Sequence, residues 1–309
     1  MANCTVNVTN AILNLQKVTS IPTFILGVLG NIYVLLMFCR SPRSEWNYMK
    51  IYITNMAIAD CVVLVILPIK IHFYDIPWTY PKEVCNLLLS VYYVNMYVSI
   101  FIMTAISVVR FVAIMYPMKA REILCCRNAL VVCALIWIII CSFSTIYFVH
   151  DSDNDKTMCF QRTREGLSLL FILLLSIVGF LLPFLIMLFC TIKVIFTLRK
   201  QLEIGSRCEK IQCIFIIAAN LIVFVICFFP VHFGYFFKYM AYTHSCDMQF
   251  IAHNFLHSAF CISNMNCGLD CFSYYFATKT SWDLCCMKQT REEGSECNYV
   301  SPTNLKRNS

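Results

Sequence analysis

CNLLLSVYYVNMYVSIFIMTAISVVRFVAIMYP, Cys85 to Pro117, decides the fold. The run opens on a cysteine and carries no charged side chain until Arg110. At about 1.5 Å per residue, a helix from Cys85 to Arg110 is roughly 37 Å long. That slightly exceeds the ~30 Å hydrocarbon core of a bilayer. One end can stand outside the membrane while the other presents a lone arginine at the opposite face.

Composition agrees with this reading. The chain has 309 residues, 60% hydrophobic and 13% charged, and a mean hydropathy of +0.70. Soluble domains are about half apolar and a quarter charged. The 20 cysteines are dispersed, mostly inside apolar runs, where cysteine acts as a small hydrophobe. Seven runs are long enough to span: 18–39, 51–69, 84–109, 128–149, 166–192, 211–237 and 248–277. The expected fold is an all-α membrane protein, a seven-helix bundle. An N-terminal tail (1–17) precedes it. A short amphipathic eighth helix and a tail (278–309) follow.

Orientation follows from Lys and Arg. The loops after spans one, three and five and the C-terminal tail hold 17 of the 24. Acidic residues divide almost evenly. The basic side is therefore expected to be cytoplasmic and the N-terminus extracellular. The net charge of +7 is a topology signal and calls for no nucleic-acid partner. The first 17 residues lack the basic start and apolar core of a cleavable signal, so the first span is expected to direct insertion.

The outer tail carries sequons at Asn3 and Asn7. Cys85 and Cys159 both fall on the outer side, and a disulfide between them would pin the second outer loop over span three. Cys4 and Cys246 are a second candidate pair. Past span seven, Phe276, Trp282 and Leu284 alternate with Lys279 and Lys288 as on an interfacial helix. Cys285 and Cys286 at its end are candidate palmitoylation sites.

Polar residues inside apolar spans are costly and mark function by default. Asn31 lies in span one, Asp60 in span two, Asn266 and Asp270 in span seven. Asn95 and Ser99 are one helical turn apart on span three and share a face. Pro68, Pro183 and Pro230 each remove a ladder bond and provide a bend. His253 and His257 have metal-like spacing but no third ligand, so they read as a polar pair near the outer mouth.

Gly30-Asn31, Asp60, Cys85 with Cys159, Arg110, Trp137, Pro183, Cys227-x-x-Pro230 and Asp270-x-x-x-Tyr274, one set per span, resemble the rhodopsin-like G-protein-coupled receptors. The stretches IYITNMAIAD, LPIK, FFPVH and NMNCGLDCFSYYF resemble the lysophosphatidylinositol-receptor subgroup. There, as here at Cys271, the usual proline after the span-seven aspartate is absent.

The resemblance implies a plasma-membrane receptor that activates heterotrimeric G proteins, Rho-linked or calcium-mobilising in this subgroup, with arrestin as a further partner. It implies a sodium or proton site from Asp60, Asn95, Ser99, Asn266 and Asp270, with Asp60 and Ser99 as the sodium ligands. No other cofactor is expected. It makes Arg110, Phe228, Pro230 and Tyr274 the switch. Phe228 stands where many relatives have tryptophan, and Thr191 where many have tyrosine. Val109 stands where the family has an acid, and Lys210 where many members have one on span six. Arg110 is thus expected to lack its usual restraint and ligand-free activity to be raised.

An outer cavity is expected from Lys70, Tyr92, Tyr93, Met96, His232, Tyr235, Lys238, His257 and Phe260, with Arg162 and Arg164 above it. No acid on span three is available to an amine, so the cavity suits an anion with an apolar body: a lysophospholipid, lysophosphatidylinositol foremost, or a small aromatic acid. Lys70 is its expected anchor; the alternative is a lysine reaching lipid headgroups. Other classes fit less well. A transporter or channel would show internal repeats. A retinal protein would need a lysine in span seven. No nucleophile and base converge as in an enzyme. A non-signalling scavenger is the closest rival, because of Val109.

Overall fold

The computed structural model describes residues 8–42, 46–73, 76–149, 159–160, 169–200 and 207–270. The helices are α1 (Asn10–Arg40), α2 (Tyr48–His72), α3 (Lys82–Met115), α4 (Pro117–Ile123), α5 (Cys126–Val149), α6 (Leu169–Ser176), α7 (Leu182–Lys200), α8 (Arg207–Ala241) and α9 (Cys246–Asn264). A π-helical segment, Ile177–Leu181, joins α6 to α7. Counting that joined pair as one rod, six rods among the described residues are long and apolar enough to cross a bilayer. α9 is more polar, with His253, Asn254, His257 and Ser263 buried. After a turn at Met265 the helix resumes through Asp270, and the rest of the expected seventh span lies outside the described residues. So do Asn3, Cys4, Asn7, Arg162, Arg164, Tyr274, the eighth helix, Cys285 and Cys286.

The burial pattern is that of a bundle in hydrocarbon. Val65, Leu170 and Phe215 are exposed, whereas Asn31, Asp60, Ser99 and Asp270 are buried. With no water in the bilayer, apolar side chains can face outward and polar groups must find partners inside. α3 stands at the centre, packed against α2, α4, α5, α7, α8 and the π segment. Its inner stretch contributes Val98, Ile100, Ile102 and Ile106 to the main core, which also takes Met187, Phe224 and Phe228.

Two boundaries differ from the sequence reading. α1 begins at Asn10, within the stretch assigned to the tail. Val8 and Leu13 pack with Ile12 and Ile71, and the Thr9 amide donates to Asn254 Oδ1 at 2.9 Å. Tertiary anchoring extends the helix through Asn14, Gln16 and Lys17, which no hydropathy window would include. The second difference is at Pro183. A proline cannot donate to the carbonyl four residues back, here Gly179, and its ring crowds that carbonyl. The chain widens into a π turn just before it, with the Leu182 amide donating to Ile177 O. α2 remains one helix through Pro68.

Cys85 and Cys159 are disulfide-bonded, with Cα atoms 5.8 Å apart. The bridge is buried with Trp78 and Phe160, and Phe73 and Tyr92 pack against them. It fixes residues 159–160 against the start of α3. Cys246 is also disulfide-bonded.

Candidate functional site

Three levels of polar groups lie along α3. At the disulfide end, Lys70 of α2 is buried. Its Nζ lies 4.3 Å from the centroid of the Tyr92 ring of α3. Among the described residues no acid pairs with Lys70. Burying an ammonium costs several kcal/mol unless it is compensated. A cation–π contact returns about 0.5–2 kcal/mol. The lysine is therefore held in place but short of a counter-charge.

The other residues expected in the outer cavity make contacts with one another and with the core. Tyr235 donates to the Tyr93 hydroxyl at 2.7 Å, and both rings meet Phe260 edge-on with centroids 6.0 Å away. His257 stacks at a tilt on His253, with centroids 4.6 Å apart. Lys238 is half-buried near the end of α8. Met96 is part of the main core. His232 is buried: its Nδ1 lies 2.8 Å from Phe228 O, its Nε2 lies 3.3 Å from the Tyr97 hydroxyl, and its ring stacks on Phe180. The sequence reading missed Tyr97 and Gly179. A Cβ on Gly179 would come within 2.6 Å of Tyr97 Cε1, so the π segment and α3 meet here without a side chain between them. Gly179→Ala should then displace Tyr97 and lower thermal stability by about 1–3 kcal/mol. A thermal-shift assay in detergent checks this, with Tyr97→Leu expected to restore most of the loss in the double variant.

At mid-depth, Asn95 Nδ2 donates to Asp60 Oδ1 at 3.0 Å, and Asn266 Nδ2 donates to Asp270 Oδ2 at 2.7 Å. The Cys267 thiol reaches Asn95 Oδ1 at 3.7 Å, a contact the sequence did not suggest. Asn31 Nδ2 donates to Gly27 O and Cys267 O, both at 3.0 Å. Asp60 and Asp270 are close enough for their charges to interact. Asp60 Oδ2, Asp270 Oδ1, Ser99 Oγ and Asn266 Oδ1 are buried and have no hydrogen-bond partner among the described residues. Four such oxygens in one region, with two carboxyls among them, fit a hard cation, which takes oxygen ligands.

At the far end, Arg110 is half-buried and is engaged by a neighbour. Val109 packs into the main core. The missing acid at position 109 therefore does not leave the arginine without a contact. Phe228 is buried edge-on to Phe224, and Pro230 lies inside α8.

Among the described residues the polar groups are strung along one rod and do not converge on a reacting atom. The chain belongs to the rhodopsin family of 7 transmembrane receptors, which it matches over residues 30–274. The match runs past Asp270, to residue 274. The family consists of signalling receptors, not enzymes, and the chain is a multi-pass plasma-membrane protein. It is 33% identical to human "G-protein coupled receptor 55" over 273 residues, 86% of this chain and 85% of that receptor. It is 32% identical to human "G-protein coupled receptor 35", over 82% of this chain and 81% of that one. It is 29% identical to human "Lysophosphatidic acid receptor 4", over 86% of this chain and 75% of that one.

Proposed function

We propose that this receptor binds an anionic ligand with an apolar body at its disulfide end and thereby activates a heterotrimeric G protein. The buried Lys70, cushioned on Tyr92 and without an acid among the described residues, carries this reading. An anionic headgroup supplies the missing counter-charge, and the aromatic side chains of Tyr93, Tyr235 and Phe260 supply apolar contact. A lysophospholipid, lysophosphatidylinositol foremost, fits better than a small aromatic acid. Support comes from the bulk of apolar surface around the charge and from the similarity to a lysophosphatidic acid receptor. The N-terminus is extracellular in this reading. A disulfide needs an oxidising compartment, and Cys85–Cys159 lies at the same end as residue 10. Asn3 and Asn7 then face outward for glycosylation, while Cys285 and Cys286 lie inside for palmitoylation.

The mid-depth oxygens hold a sodium ion, with Asp60 and Ser99 as ligands and Asn95, Asn266 and Asp270 around them. A bound cation offsets the repulsion between two buried carboxylates. Arg110, Phe228, Pro230 and Tyr274 form the switch toward the G protein, Rho-linked or calcium-mobilising, with arrestin following. In purified form with a panel of G proteins, lysophosphatidylinositol should raise nucleotide exchange at least fivefold over vehicle for one G-protein class. Binding of the lipid with no exchange on any G protein would identify a scavenger.

A further inference from the structure

α1 carries one buried stripe, Leu13, Gln16, Ser20, Thr23, Gly27 and Asn31, at the three- and four-residue spacing of a single helix face. Contacts at two levels show what that stripe meets. At the disulfide end, Leu13 packs with Ile71, which follows Lys70 on α2, and the Thr9 amide is held by Asn254 of α9. Deeper, a Cβ on Gly27 would come within 2.9 Å of Leu64 of α2, and Asn31 donates to Cys267 O, just past α9. Gln16 lies between the two levels, one turn below Leu13. Between the same levels the partner helices bury Lys70 and Leu67 of α2, and His257 and Cys261 of α9. Lys70 is next to Ile71 and Gln16 is one turn from Leu13, so the two stand at similar depth in one seam.

Gln16 is 3% exposed. Its Oε1 is buried and has no hydrogen-bond partner among the described residues. A buried amide carbonyl without a donor is costlier than an apolar side chain of the same length. Two neighbours in the seam thus have opposite needs. The Lys70 ammonium only donates and needs an acceptor, whereas Gln16 Oε1 only accepts and needs a donor. A phosphodiester, or a phosphomonoester that has lost both protons, answers the lysine and cannot answer the glutamine, because its oxygens only accept. A hydroxyl answers the glutamine. One headgroup meets both needs if it holds a phosphate and a hydroxyl close together, as a polyol phosphate does.

We propose that Gln16 is a specificity residue for the headgroup: with the phosphate on Lys70, Gln16 Oε1 accepts a hydrogen bond from a headgroup hydroxyl, and the receptor thereby selects a polyol phosphate over a bare phosphate. This rests on the lipid-receptor reading above and adds the side chain that tells one lysophospholipid from another. A site built to bond a hydroxyl discriminates strongly against an analogue that lacks it, because its own buried polar group is then left unpaired. Lysophosphatidic acid keeps the charge that Lys70 needs and loses the ring of hydroxyls that lysophosphatidylinositol offers to Gln16.

Full-length receptor in phosphatidylcholine nanodiscs tests this by direct binding of tritiated lysophosphatidylinositol and tritiated lysophosphatidic acid with the same acyl chain. The wild type should bind the inositol lipid at least tenfold more tightly. Gln16→Met keeps the length of the side chain and removes the acceptor. It should weaken the inositol lipid at least tenfold and lysophosphatidic acid less than twofold, so that the preference disappears. Equal weakening of both lipids would mark Gln16 as merely structural, and an unchanged preference would leave it without a role; either result overturns the proposal. The wild type alone gives a second test, independent of how the variant folds. Lysophosphatidylinositol with every ring hydroxyl O-methylated keeps its charge and ring but donates nothing, and should bind at least tenfold more weakly than the parent lipid; equal binding overturns the proposal. Lys70→Met should weaken both lipids by the same factor. If it weakens neither while Gln16→Met still removes the preference, the lysine anchor falls and the hydroxyl contact stands. Binding of neither lipid to the wild type overturns the lipid-receptor reading and this proposal with it.

Discussion

Lys70→Met should reduce the potency of every anionic ligand by roughly 10- to 150-fold while leaving the ligand-free receptor no less stable than wild type. The two halves of the result have one cause. A hydrogen bond to a charged group contributes about 1.5–3 kcal/mol, and each 1.4 kcal/mol is about tenfold in affinity. In the ligand-free state the same ammonium is buried over the Tyr92 ring, with no acid among the described residues to pair with it. Replacing a buried charge by an apolar chain of similar length removes a desolvation cost and gives up a cation–π contact. A purely structural lysine would behave oppositely: its loss would lower the melting temperature and leave ligand potency unchanged. Measuring dose–response curves for lysophosphatidylinositol and for an aromatic acid, beside thermal stability without ligand, separates the two. Unchanged potency for both ligands would remove Lys70 from the binding site. Lys70→Arg should recover part of the response, since the charge is kept while the shape of the donor changes.

The parts of this molecule that were legible in the sequence are those that depend on one helix at a time. Charge-free length gives the spans, and α3 could be read from Cys85 to Arg110 because hydropathy is a property of consecutive residues. Asp60 and Asp270 stood out because a carboxylate amid apolar residues is costly wherever the helix faces. What the sequence hid depends on how helices are rotated against each other. The partners of His232, Tyr97 and Phe180, come from α3 and the π segment. Gly179 is one of eight glycines, and only the approach of Tyr97 reveals why a side chain is not accommodated there. The π turn before Pro183 was half legible. A proline in mid-span announces a disrupted ladder, but whether the chain kinks or widens is settled by what packs against it. The start of α1 was misplaced for the same reason, since Val8, Leu13 and Asn254 meet only in the folded bundle.

The mid-depth acid pair gives the second large effect. Replacing choline by sodium at constant ionic strength should raise the melting temperature of the wild-type receptor. Asp60→Asn should abolish that difference. A ligand that binds only the folded state stabilises it by about 2.7 kcal/mol when present at a hundred times its dissociation constant. General salt effects are the same for both chlorides and cancel. The prediction follows from the bookkeeping of acceptors. Asn95 and Asn266 each donate one hydrogen bond to one carboxyl oxygen, leaving Asp60 Oδ2, Asp270 Oδ1, Ser99 Oγ and Asn266 Oδ1 without donors among the described residues. Buried acceptors without partners cost about 1–3 kcal/mol each, more when charged, and a cation satisfies several at once. Asp60→Asn takes away a charge and puts an amide donor among the same oxygens, so the variant should lose sodium dependence while remaining folded. Ser99→Ala should reduce the sodium effect without removing it, because the carboxylates supply most of the field. A proton shared between Asp60 and Asp270 is the competing arrangement, since two adjacent carboxyls can also lower their repulsion by holding one proton. It predicts equal melting temperatures in sodium and choline for the wild type, and that outcome would exclude the cation.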